Sequence, residues 1–232
     1  MVTNSSMLPR SMTTWLSVHS AATLAGMGLS LLVGAAWPLA LVGACSFLGG
    51  FLANQSSWIE AGKLGGPANA VTGFRLGLML LAAALGSTLG DLALGLLLAF
   101  AAALDGLDGY LARRYDAASL FGEYLDKETD SFFVALGGLL LWQTHDIGLW
   151  ILVPALLRPL YVFVRRQMNL GDKKEPKFKY GRVLAVVLMV AIPLAFVLPD
   201  PLRSWALALA VSLTALSFLK SFVWLFQQQL SS

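Results

Sequence analysis

The 232-residue chain is 57% hydrophobic and only 12% charged, with a formal net charge of +3, and its mean hydropathy is +0.72. These proportions exclude an ordinary water-soluble domain and a charged disordered tail. The one cysteine, Cys45, excludes an intramolecular disulfide or a cysteine metal cluster, and the two histidines, His19 and His145, stand apart from any ligand cluster.

Apolar runs at roughly 13–33, 38–53, 71–88, 91–112, 118–142, 147–166, 183–198 and 203–226 predict about eight helices. The fold class expected is therefore an all-α integral membrane protein, a polytopic helical bundle. Arg10 precedes the first run, which is too long for a cleaved signal and is quickly followed by a second, so it is read as retained. Pro38 opens the second run after the turn at 34–37, making residues 1–53 an N-terminal hydrophobic hairpin; one long segment lying along the membrane is the alternative. A polar linker at 54–70 follows, and residues 71–232 carry the remaining runs. With the N terminus in the cytoplasm, nearly all Lys and Arg from Arg10 to Arg182 fall in cytoplasmic segments, whereas the opposite loops hold little beyond Arg203. Trp37, Trp142, Trp150 and Trp205 then mark the outer boundary, and Trp15, Trp58 and Trp224 the inner one. Basic residues track a membrane face and no soluble surface, which argues against nucleic-acid binding.

The fourth and fifth runs hold the chemistry. Asp105, Asp108 and Ala112 share one helix face, and Gly122, Asp126 and Asp130 repeat every four residues on another. Ionisable groups beside a membrane span cost several kcal/mol unless paired or metal-bound, so four aspartates together predict a metal site at the cytoplasmic boundary. Four hard oxygen ligands would neutralise two divalent cations, and Mg²⁺ or Mn²⁺ suits a site that keeps positions open for phosphate and water. Gly109, Ala112 and Gly122 are small enough for a backbone or ligand to approach closely. Cation transport through the membrane is the alternative from another class, but it would place acids near the midplane.

The pattern D-x2-D-G-x2-A-R-x8-G-x3-D-x3-D from Asp105 to Asp130 resembles the signature of the CDP-alcohol phosphotransferases, with every fixed position filled. The resemblance implies a six-span catalytic core after residue 67, with the first two runs as an addition. It implies transfer of a phosphatidyl group from a CDP-linked lipid donor, such as CDP-diacylglycerol, to a small alcohol acceptor with release of CMP. In that family pattern Asp105, Asp108 and Asp126 bind metal, Asp130 borders the metal and serves as general base, and Gly109, Ala112, Arg113 and Gly122 line the CDP pocket. The stretch Pro67 to Arg75 resembles the family's Pro-Asn-x-x-Thr-x-x-Arg opening with one extra residue, which would turn Asn69, Thr72 and Arg75 toward the nucleotide; helix capping and interfacial anchoring are the bland alternative. The family also implies a homodimer among membrane lipids, in a bacterial inner membrane.

Arg158 lies inside the sixth run and shares a helix face with Arg165, so both are expected to bind an anionic acceptor. Glycerol 3-phosphate is the leading acceptor; serine, inositol and inositol phosphate remain open, because the stretch after Asp126 fits no acceptor class cleanly. Asp116 and Glu123 are read as solvated, and Glu128 as able to touch the site.

Overall fold

The computed structural model describes residues 9–55, 66–114, 120–145, 147–170 and 179–230, the side chains of 66–68, 108–113, 120, 179–182 and 229–230 excepted. Among the described residues there are eight α-helices and no strand: α1 (Arg10–Val33), α2 (Trp37–Ala53), α3 (Gly66–Leu85), α4 (Asp91–Arg114), α5 (Leu120–Thr144), α6 (Val153–Gln167), α7 (Lys179–Val197) and α8 (Leu202–Leu230). A short 3₁₀ turn, Leu149–Leu152, leads into α6, where Pro154 sits in the first turn, the place where a missing N–H costs nothing. Pro38 plays the same part at the start of α2. Helix α3 begins at Gly66, so the segment expected to be linker to residue 70 is partly helical; its Pro67 is compatible with a first helical turn. The break between α1 and α2 falls at Gly34, whose φ of 74° is left-handed and whose N–H caps the Ser30 carbonyl.

Helix α5 is the axis of the bundle. It contacts α1, α2, α3, α6 and α7, and every residue from 132 to 141 is buried. A helix apolar all round belongs in a core. The outward faces are apolar as well: Val183, Val190, Leu194 and Val197 on α7, and Leu202, Trp205, Leu209, Leu216 and Phe226 on α8, are all exposed. Contiguous apolar surface of that kind has lipid, not water, as its solvent. Among the described residues, α1 and the 202–228 part of α8 are long and apolar enough to cross a membrane by length and composition.

The α1–α2 hairpin is fastened to α5 by rings. Trp15 packs on Phe121 at 5.7 Å between centroids, Phe51 on Phe121 at 5.7 Å and Phe47 edge-on to Phe132 at 5.6 Å. Trp15 is therefore not the inner-boundary anchor expected of it: it is buried, and its Nε1 donates to the Ser46 carbonyl at 3.1 Å. The hairpin offers an aromatic pocket and a carbonyl acceptor, which together hold the indole inside the bundle. Trp37 and Trp205 are exposed, and Trp58 lies outside the described residues.

Close approach of α2 to α5 depends on Gly43, where an added Cβ would overlap the Phe132 ring. Gly43→Val should lower stability by about 1–3 kcal/mol through overpacking, seen as a drop in the thermal transition in detergent. Gly49→Val, with nothing within 4 Å of its added Cβ, is the matched control and should leave the transition in place.

Candidate active site

Three helices meet at the acidic motif. Asp105 comes from the C-terminal half of α4, and Asp126 and Asp130 come from successive turns of α5. One carboxylate oxygen from each lies within 4.8 Å of the other two. Between them, from α3, stands Arg75. Its side chain is fully buried; Nη1 donates to Asp105 Oδ1 at 2.9 Å and to Asp126 Oδ1 at 3.3 Å, Nη2 donates to Asp130 Oδ1 at 2.9 Å, and Nε donates to the Ala101 carbonyl at 3.1 Å.

The planar guanidinium is suited to this work, because it projects donors along two edges at once and cannot lose its charge. Its partners are more accessible, with side chains 26%, 41% and 26% exposed for Asp105, Asp126 and Asp130. Three carboxylates against one guanidinium leave a net charge of two negative, the charge of one divalent cation in reverse. The donor set is all oxygen, which matches a hard cation such as Mg²⁺ or Mn²⁺ and does not match a thiolate- or imidazole-seeking metal. Asp105, Asp126 and Asp130 therefore fit such a group.

Arg75, expected to face the nucleotide, donates to all three aspartates. Thr72 and Asn69 lie about one and two turns before it on α3, Thr72 buried and Asn69 half-buried. Gly122 sits half-buried one turn before Asp126 on its stripe. Asp108, Gly109, Ala112 and Arg113 are in α4, but their side chains lie outside those described.

The two arginines of α6 have partners within the protein. Arg158 is buried and donates through Nε to Glu128 Oε1 at 3.1 Å, with Nη2 on the same oxygen. Glu128 is 2% exposed. It stands two residues from both Asp126 and Asp130, about 200° around the helix, so it faces α6 and not the aspartate cluster. Glu128, expected to touch the site, thus reaches the candidate acceptor arginine Arg158 and not the aspartates. Arg165 is buried as well, with Nε donating to the Leu170 carbonyl at 3.1 Å. Neither bond was marked by a motif, yet an arginine inside a span requires a partner.

A family model described as CDP-alcohol phosphatidyltransferase matches residues 66–216. Among curated proteins, the CDP-diacylglycerol–glycerol-3-phosphate 3-phosphatidyltransferase of Pseudomonas fluorescens is 35% identical over 116 residues, covering 42% of this chain and 56% of that protein. The protein of the same description from Escherichia coli (strain K12) is 30% identical over 106 residues, covering 43% and 58%. That from Yersinia pestis (strain Pestoides F) is 36% identical over 89 residues, covering 38% and 46%. The chain spans about half the length of the curated relatives it matches. No solved structure matches it.

Proposed function

Since this chain belongs to the CDP-alcohol phosphatidyltransferase family, we propose that it transfers the phosphatidyl group of a CDP-linked lipid, such as CDP-diacylglycerol, to glycerol 3-phosphate, releasing CMP. The observation that carries the reading is the convergence of Asp105, Asp126 and Asp130 around Arg75 from three helices of the matched region. The acceptor is supported by the glycerol-3-phosphate relatives. The family match favours transfer over cation transport.

Phosphoryl transfer is mostly positioning and electrostatics. Asp105, Asp108 and Asp126, with Asp130 at the border, would hold two divalent cations, Mg²⁺ or Mn²⁺, which supply charge neutralisation at the pyrophosphate and the leaving CMP phosphate. Asp130, one turn from Asp126, takes the proton of the acceptor hydroxyl as that oxygen attacks the lipid-bearing phosphorus and the bond to CMP breaks. Arg75 fixes the rotamers of all three described aspartates, which keeps the base and the metal ligands in register. Gly109, Ala112, Arg113 and Gly122, with Asn69 and Thr72 at the opening of α3, border the CDP. The six helices α3–α8 form the catalytic core, with α1–α2 as a hairpin addition. The excess of Lys and Arg at the motif's end of the helices supports a cytoplasmic active site in the inner membrane, and the family supports a homodimer.

Arg158 and Arg165 hold the acceptor's phosphate in this scheme, Arg158 oriented by Glu128. Arg158→Ala should raise the acceptor KM about 10–100-fold, the worth of a charge-assisted hydrogen bond, and the donor KM far less. Equal rises in both would remove Arg158 from the acceptor site. The acceptor itself is tested by incubating the lipid-reconstituted protein with CDP-diacylglycerol, Mg²⁺ or Mn²⁺ and, separately, glycerol 3-phosphate, serine, inositol, inositol phosphate or choline. CMP release that depends on glycerol 3-phosphate supports the reading; dependence on another alcohol reassigns the substrate.

A further inference from the structure

Helix α1 carries a buried imidazole that the transfer scheme does not use. His19 is 1% exposed, and its ring is held against Phe47 at 4.4 Å and Trp15 at 5.7 Å between centroids. Its Nδ1 lies 2.9 Å from Ser46 Oγ on α2, while its Nε2 is buried with no hydrogen-bond partner among the described residues. The charged groups that act on the ring are Glu128 of α5 and Arg158 of α6. We propose that His19 is a positioning residue for the acceptor site: its Nε2–H, through one bridging water, holds the Glu128 carboxylate that orients Arg158.

A carboxylate accepts hydrogen bonds and cannot donate them, so an imidazole beside Glu128 is favourable with its proton on Nε2. Ser46 can impose that tautomer, because its hydroxyl donates to a bare Nδ1. The carboxylate has room for a second donor. Arg158 Nε and Nη2 both donate to Oε1, so Oε2 is the oxygen that another N–H or a water would hold. A carboxylate gripped on one oxygen can still pivot about its terminal bond, and a grip on the second oxygen fixes the plane against which the Arg158 guanidinium is set.

The same side of α1 offers partners for the bridging water. Thr23 Oγ1, one turn on from His19, is buried without a partner, as is Ser20 Oγ. Buried polar atoms of native proteins are nearly always hydrogen-bonded, and an internal water is held by several of them at once. Helix α1 packs against both α5 and α6, which bring Glu128 and Arg158 to it. It lies outside the family-matched region, 66–216, so the added hairpin lends a side chain to the machinery of the core. This role rests on Arg158 binding the acceptor, as proposed above.

Nitrogen NMR of the full chain in detergent, labelled at histidine, tests the link without turnover. The chain has two histidines, so His145→Gln identifies the signals of His19. Native His19 should carry its proton on Nε2, and Glu128→Gln should move that N–H resonance. A proton on Nδ1, or a resonance that Glu128→Gln leaves in place in protein with an unchanged thermal transition, overturns the link whether or not the protein transfers anything. Kinetics test the positioning. Glutamine places an amide N–H where Nε2 stands, whereas asparagine reaches only as far as Nδ1. His19→Gln should keep the acceptor KM within about twofold of native, and His19→Asn should raise it about tenfold, the worth of one hydrogen bond, with the donor KM changed less than about twofold. The reverse order would leave His19 serving Ser46 alone, and equal rises in both KM values would make it a packing residue; either overturns the role. A raised acceptor KM in Arg158→Ala with a native one in His19→Asn overturns His19 alone, whereas native values in both overturn the acceptor reading of Arg158 as well.

Discussion

Arg75→Met should destabilise the metal-free protein by about 3 kcal/mol, with a substantial part recovered when Mg²⁺ or Mn²⁺ is added. The substitution removes the cation that three aspartates share and leaves like charges crowded together. Breaking a buried ion pair by deleting one partner costs about 3–5 kcal/mol, and the partial exposure of the aspartates holds the figure to the lower end. A divalent cation bound to the same carboxylates replaces the missing charge, and anything that binds the folded state alone stabilises it by mass action. Arg75→Lys should recover only part of the loss, because a point charge cannot span Asp105 and Asp130 as the planar fork does. Thermal unfolding in detergent, with and without Mn²⁺, checks this. A drop that Mn²⁺ leaves unchanged would mean that Arg75 and the metal do not share the aspartates.

Asp130→Asn should cut CMP release about 10²–10⁴-fold, the usual contribution of a positioned general base. The amide is nearly isosteric, and its oxygen can still accept from Arg75 Nη2, which donates to Asp130 Oδ1 at 2.9 Å in the native site. Stability should therefore hold while turnover fails. Glu123→Gln is the contrasting substitution: that carboxylate pairs with Lys127 at 3.5 Å on a partly exposed face of α5, and such pairs are worth little. Its rate should stay within about twofold of the native one. A normal rate in Asp130→Asn would move the base to another group.

Much of this molecule could be read from its residues, for identifiable reasons. Composition requires burial in lipid, and apolar runs separated by Gly34, Pro38 and the charged segments separate the helices. The four-residue spacing of Gly122, Asp126 and Asp130 already placed both aspartates on one stripe, since a helix has one period. What escaped were the partners contributed by distant elements. Arg75 sits thirty residues before Asp105, and no spacing in the sequence marks that α3 brings its guanidinium between the acids. Glu128 lies between two motif aspartates in sequence, yet helical rotation turns it to the opposite side, where Arg158 waits on α6. Trp15 looked like an interfacial ring because its depth was known and its neighbours were not. Each miss came from judging a side chain by position along the chain when a tertiary contact decided its fate.

We propose that the Arg75-centred aspartate cluster performs phosphatidyl transfer. Its most direct test reconstitutes the purified protein in vesicles containing CDP-diacylglycerol and measures CMP and lipid product together, by mass, with and without glycerol 3-phosphate and with and without a chelator. Equimolar CMP and phosphatidylglycerophosphate should form only when both the acceptor and a divalent cation are present. Undiminished CMP formation under chelation, or none from folded protein supplied with every component, would contradict it.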